Sequence, residues 1–283
     1  KHIMFELFDP GTKEFFKEMA RAIPKFTVEI SMESHDEHVR RAFGRSYTNE
    51  ALERTIDYAL EAGVDRFDLF FMVGLKEQTH ESVMGTVEYS RNLLKRYHQM
   101  GEHRVIPFIS PMAPFLDPGS IIFEAPEKHG YRLFARTLEE HRQILLQPTW
   151  KHVLNYETQW MSRDQIAAAT YEAGRQFNLM KGEFGVLDVD QVNATDKRIN
   201  EAIELMSEID HIVQVEQNLE KRRQMLMQLK QRVDQANLGT VCDKSELDAA
   251  FTGSKINYFK AASLVIKDWT KDLNKRVIDY IHN

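Results

Sequence analysis

The sequence predicts an α/β fold: a parallel sheet of four strands, half of an eight-stranded (βα) barrel or a small open sheet, followed by a mostly α-helical C-terminal region. Three observations lead there. Short apolar runs at 3–8 (IMFELF), 26–31 (FTVEIS), 66–74 (RFDLFFMVG) and 104–110 (RVIPFIS) alternate with helical patterns, the rhythm of right-handed βαβ units. The third run is apolar almost throughout, as expected of a strand covered on both faces. From 195 onward the pattern becomes that of long polar helices.

Each element follows from its local chemistry. Asp9-Pro10-Gly11 ends the first strand as a turn, and Phe15, Phe16, Met19, Ala20 and Ile23 form a helical stripe over 12–23. After the second strand, Ser34 with Glu37 reads as a capping box for a short helix that stops near Gly44. Thr48 caps the next helix, with Leu52, Ile56, Ala59 and Leu60 on its buried side and Gly63 at its end. Helix 79–99 follows the third strand. Pro111, Pro114, Pro118 and Pro126 stud a loop-like stretch from 111 to 130, and a loop that long usually serves function or covers something. The pattern then predicts a helix over 131–146, an aromatic stretch (TWKHVLNYETQW), and a helix opened by Ser162 and Gln165 that reaches Lys181. Residues 195–237 read as one long helix, either an arm or an antiparallel hairpin with 244–281.

Composition narrows the function. The chain has 283 residues, 42% hydrophobic and 28% charged, which suits one or two globular domains. A net charge of −6 argues against non-specific nucleic-acid binding. No apolar run approaches the ~18–20 residues of a membrane span, and no signal peptide opens the chain. The one cysteine, Cys242, cannot build a disulfide framework, a zinc knuckle or a cysteine-ligated iron–sulfur cluster. It points to a reducing, cytoplasmic compartment. Lys1 runs straight into a strand, so the chain is expected to be a piece of something longer. GxGxxG, Walker, GxSxG and HExxH motifs are all missing.

In parallel α/β folds the working ends are the C-terminal strand ends. Here they carry Glu6 to Asp9, Ser31 to Glu33, Phe70 to Gly74 and Ser110 to Pro114. Arg45 has two readings: a surface arginine at a helix C-terminus, or a guanidinium folded back to grip a carboxylate. Glu33 either accepts hydrogen bonds from ribose hydroxyls or pairs with Arg40 or Arg41. Gly74 makes a turn or admits a close neighbour. Phe70 and Met72 are core, or a platform for a planar ring. His35 and His38 are a solvated pair or two metal ligands.

Three phrases carry a family resemblance. A strand ending Ser31-Met32-Glu33-Ser34, then GRSYT (44–48), then a strand ending FFMVGLKEQT (70–79) resemble the second half of a radical S-adenosylmethionine (SAM) barrel. Downstream, residues 110–142 and 154–174 are similar to the subgroup with an N-terminal cobalamin-binding domain. The likeness covers 3–187. It implies a C-terminal half-barrel over 1–125 and an extension over 126–190; beyond it, the helical pattern alone sets a long-helix region over 191–283. It implies that Arg45 binds the SAM carboxylate, Glu33 with Ser31 meets the ribose, and Phe70 and Met72 contact the adenosine at the Gly74 turn. Glu6 matches an acidic position on the barrel's third strand. SAM is the implied cofactor. The [4Fe–4S] cluster and cobalamin are expected only from an N-terminal half of the same enzyme, the expected partner, without which this chain is inert.

The implied activity is methyl transfer or related radical chemistry on an unknown small-molecule or lipid-like substrate. The loop 111–125 with Trp150, Tyr156 and Trp160 would line the substrate side. Two alternatives remain at this point. One is a non-catalytic interaction protein that oligomerises through 195–281. The other is a chimera joined near 187–195.

Overall fold

The computed structural model describes residues 2–111, 116–147 and 149–241. Strands β1 (Ile3–Leu7), β2 (Phe26–Glu33), β3 (Arg66–Val73) and β4 (Val105–Pro111) form one sheet in the order β1-β2-β3-β4. All neighbours are parallel. Helices α1 (Lys13–Ala22), α2 (Glu37–Ala42), α3 (Asn49–Glu61) and α4 (His80–Gln99) make the crossovers. Four parallel strands with α/β alternation, then a helical C-terminal region, are what the apolar runs predict, and the arrangement is consistent with a partial barrel.

The two faces of the sheet differ. Val28, Ile30, Phe67, Leu69, Phe71 and Val73 are wholly buried under the helices. Because parallel partners in register share a face, the opposite face carries Glu6 beside Glu29, Asp68 beside Glu29, and Ser31 beside Phe70. Next along it come Phe70 with Phe108 and Met72 with Ser110. The polar face therefore holds the sequence-predicted candidates Glu6, Ser31, Phe70 and Met72.

Beyond β4 the chain makes a short helix α5 (Ile121–Glu124) and a 3-10 turn (Pro126–His129). The helix predicted over 131–146 is not there. Tyr131–Leu133 is a strand, β5, and only Leu138–Leu145 is helical (α6), with no buried residue. After α7 (Trp150–Val153), β5 pairs antiparallel with β6 (Tyr156–Thr158). Tyr131 is the reason. Its hydroxyl donates to the Gly74 carbonyl at 3.2 Å and its ring lies against Tyr156, so burial over the end of β3 outweighs helix propensity. Helix α8 (Arg163–Glu183) has the predicted capping box of Ser162 and Gln165. It lies along β4 and α4, with Phe177 stacked on Phe71 and Lys181 over the Phe108 ring.

The single helix expected over 195–237 is two: α9 (Val189–Val215) and α10 (Leu219–Val241). Glu216 leaves helical geometry, and the Asn218 side chain accepts the Lys221 amide, so a fresh N-terminus begins there. Ile209 and Ile212 of α9 pack with Leu229 of α10, and Arg232 bridges to Glu208. The hairpin is thus α9 with α10, and segment 244–281 lies outside the described residues. By contacts, the chain divides into units 1–234 and 235–283.

Candidate functional site

The site is built where β2 ends. The β2–β3 register shifts between Ser31 and Glu33. The Ser34 amide then bonds back to the Met32 carbonyl at 2.8 Å around Glu33, whose φ is +70°. This is a γ-turn with a non-glycine residue at its centre, a conformation costing on the order of 1–3 kcal/mol. The turn swings the Glu33 carboxyl into the protein, where the residue is 2% exposed.

Residues 34–49, after the turn, are held by their own polar side chains. The predicted Ser34–Glu37 capping box does not form, because β2 runs on to Glu33 and shifts the helix start. Asp36 caps α2, accepting from His38 and Val39 amides. Ser34 Oγ accepts from the Asp36 amide, and Glu37 Oε1 accepts from the Asn49 amide at 2.7 Å. The organiser is Arg40, wholly buried. It donates to the Ser34 carbonyl (2.9 Å), to Asn49 Oδ1 (2.7 Å) and twice to the Tyr47 carbonyl (3.1 and 2.6 Å), while its guanidinium stacks on the Tyr47 ring. A buried guanidinium needs every donor satisfied, and satisfying it folds residues 43–49 back over the strand end.

That fold-back delivers Arg45 to Glu33. Arg45 Nη2 donates to Glu33 Oε1 at 3.2 Å, and the guanidinium lies over the Phe8 ring, 4.6 Å from its centroid. Arg45 therefore faces the strand end and does not cap the preceding helix into solvent. Glu33 pairs with it rather than with Arg40 or Arg41. Burial pushes the Glu33 carboxyl up to about 7, against the pull of Arg45.

The polar atoms here are incompletely used. Glu33 Oε2, Arg45 Nε and the Tyr47 hydroxyl are buried without a hydrogen-bond partner. Buried polar atoms are normally paired, so three orphans in one place call for an explanation. Burial raises the Tyr47 phenol to about 12, and the charges it feels include Arg40, Arg45, Glu33 and Asp9.

The other predicted residues fall around this centre. Ser31 Oγ donates to Glu6 Oε1 at 2.7 Å, joining two candidates directly. Phe70 and Met72 are half-buried on the same face. Gly74, with φ +94°, does admit a close neighbour, and that neighbour is Tyr156: a Cβ on Gly74 would lie 2.7 Å from its hydroxyl oxygen. Sequence reasoning missed Gln78, although it stands within FFMVGLKEQT. Its Oε1 accepts from the Gly74 and Leu75 amides and its Nε2 donates to the Met72 carbonyl, which locks the turn after β3.

The histidines part company. His35 bonds to Thr86 and lies against Gly85, whereas His38 pairs with Glu77 at 2.7 Å. Among the described residues no three His, Cys, Asp or Glu side chains come together to hold a metal. Trp150 donates to the Tyr171 hydroxyl on α8, and Trp160 covers Gly130. A cleft of about 850 Å³ lies between α8 and α9, lined by Lys151, Tyr171, Arg175, Met206 and Asp210 among others, and includes no strand-end residue.

A parallel α/β sheet whose strand end presents a buried carboxyl, a guanidinium and a phenol is consistent with part of a parallel βα barrel. Residues 1–90 match the family model of the Radical SAM superfamily. That match contains the γ-turn, the Arg45 loop and the Gly74 turn. No curated protein gives a significant match. No helix among the described residues is long and apolar enough to cross a membrane.

Proposed function

We propose that this chain is the SAM-holding part of a radical SAM enzyme. The observation that carries the reading is the trio of unpaired buried atoms at the end of β2. Arg45 Nε offers a donor to a carboxylate, and Glu33 Oε2 offers an acceptor to a hydroxyl. Phe70 and Met72 supply an apolar wall, and the Glu6–Ser31 pair joins β1 to β2 two residues before Glu33. These residues fit SAM, a ligand with one carboxylate, two ribose hydroxyls and a flat base.

When bound beside a reduced iron–sulfur cluster, SAM supplies radical chemistry. The residues of this chain do not fit that cluster. One cysteine is present in the whole sequence, Cys242, outside the described residues, and one thiolate cannot replace three. The chain's own contribution is to bind and orient SAM; the cluster must come from elsewhere, with an N-terminal half of the same enzyme as the proposed donor. The phrases at 110–142 and 154–174 favour the cobalamin-binding subgroup, and with it methyl transfer or a related step on an apolar substrate.

Equilibrium titration with SAM tests the reading. The wild-type chain is expected to bind, and Arg45→Ala to weaken binding by tenfold or more, as loss of a charge-assisted pair requires. Absence of binding to the wild type, or equal binding by Arg45→Ala, would reject it.

A further inference from the structure

We propose that the Tyr47 hydroxyl is a third ligand-binding group, donating to the same carboxylate that Arg45 holds. The inference rests on the SAM reading above and adds a residue to that site.

Hydrogen-bond accounting singles this hydroxyl out. Six buried side-chain atoms lack partners among the described residues. Asp68 Oδ1, Ser90 Oγ and Asn178 Oδ1 are scattered on β3, α4 and α8. The other three belong to one strand end: Glu33, Arg45 and Tyr47. Arg45 Nε is a donor only. Nε and Nη2 form the side edge of the guanidinium that grips a carboxylate through two parallel bonds. Glu33 Oε1 engages Nη2 alone, at 3.2 Å, which leaves half of that fork unused.

The phenol stays protonated across the neutral range, so it offers a second donor. Two unused donors, near enough that the Arg45 charge acts on the Tyr47 phenol, suit an anionic acceptor. Glu33 Oε2, an acceptor without a donor, suits a hydroxyl on the same ligand.

A purely structural role for Tyr47 is separable from this one. Its ring stacks on Arg40 at 4.8 Å and its carbonyl accepts two Arg40 donors. Neither contact involves the hydroxyl. Tyr47→Phe keeps both and removes only the unpaired oxygen. Deleting a buried hydroxyl that bonds to nothing is neutral or stabilising, whereas deleting one that holds the fold is costly.

The full chain, wild type and Tyr47→Phe, is titrated with SAM and with decarboxylated SAM, and the thermal midpoint is recorded without ligand. The variant should bind SAM about tenfold or more weakly. It should bind the decarboxylated compound as the wild type does, with an unliganded midpoint equal or higher. Unchanged SAM affinity, equal weakening toward both compounds, or a lowered unliganded midpoint would each overturn the role given to Tyr47. If SAM binding responds to Arg45→Ala and not to Tyr47→Phe, only the Tyr47 inference falls. If the wild type binds neither compound, the SAM reading and this inference fall together.

Discussion

Glu33→Gln should make the protein more stable, and only at higher pH. The carboxyl has an ordinary value of 4.5 and is lifted to about 7, with burial as the main cause and Arg45 opposing it. Between these values the native state holds a proton that the unfolded chain has released. Stability relative to a non-titrating residue is therefore fully present below 4.5 and declines as pH rises through 7. At about 1.4 kcal/mol per pH unit of displacement, the decline totals about 3 kcal/mol.

Glutamine keeps the shape and cannot ionise. Urea unfolding of both proteins at pH 4.5 and at pH 8.5 reads the effect as a difference of differences. The advantage of Glu33→Gln should grow by about 3 kcal/mol across that range. An advantage that stays flat, or that shrinks with rising pH, would mean that Glu33 ionises in the protein as it does in water, and the account of a buried carboxyl would be wrong.

Two further substitutions test the scaffold. Arg40→Met strips donors from the Ser34 and Tyr47 carbonyls and Asn49 Oδ1; it should cost about 3–5 kcal/mol in urea unfolding and abolish SAM binding. A loss below about 1 kcal/mol would demote Arg40 to a bystander. Gln78→Ala leaves the Gly74 and Leu75 amides and the Met72 carbonyl without their partner. It should cost about 2–4 kcal/mol and speed hydrogen exchange at those two amides, and unchanged exchange would contradict the staple.

Much of the sheet was legible because apolar runs and turn residues obey local rules. FTVEIS and RFDLFFMVG announce strands, and Thr48, Gly63 and Ser162 sit where caps and stops belong. What escaped was set by partners distant in sequence. Tyr131–Leu133 pairs with residues 156–158, and Tyr131 is buried against Tyr156 with its hydroxyl on the Gly74 carbonyl at the end of β3. The break at Glu216–Asn218 contains neither glycine nor proline, so periodicity ran through it. At the site, the Glu33 to Arg45 spacing was readable, but the left-handed backbone at Glu33 was not, since glutamate rarely adopts it. Arg40 looked like one more charge on EHVRRA, and its burial follows from a loop that it creates itself.

The hold of Tyr131 and Tyr156 on the Gly74 turn also sets a timetable. A ribosome makes the β3 strand roughly a hundred residues before it finishes α8. At about 5–20 residues per second, that leaves the Gly74 turn and the flank of β4 uncovered for on the order of ten seconds. Through that interval Phe71 lacks the Phe177 ring that stacks on it in the finished fold. The nascent chain should therefore depend on holding chaperones most strongly between the emergence of Val73 and that of Glu183, and slowing translation within this window should raise aggregation more than slowing it elsewhere.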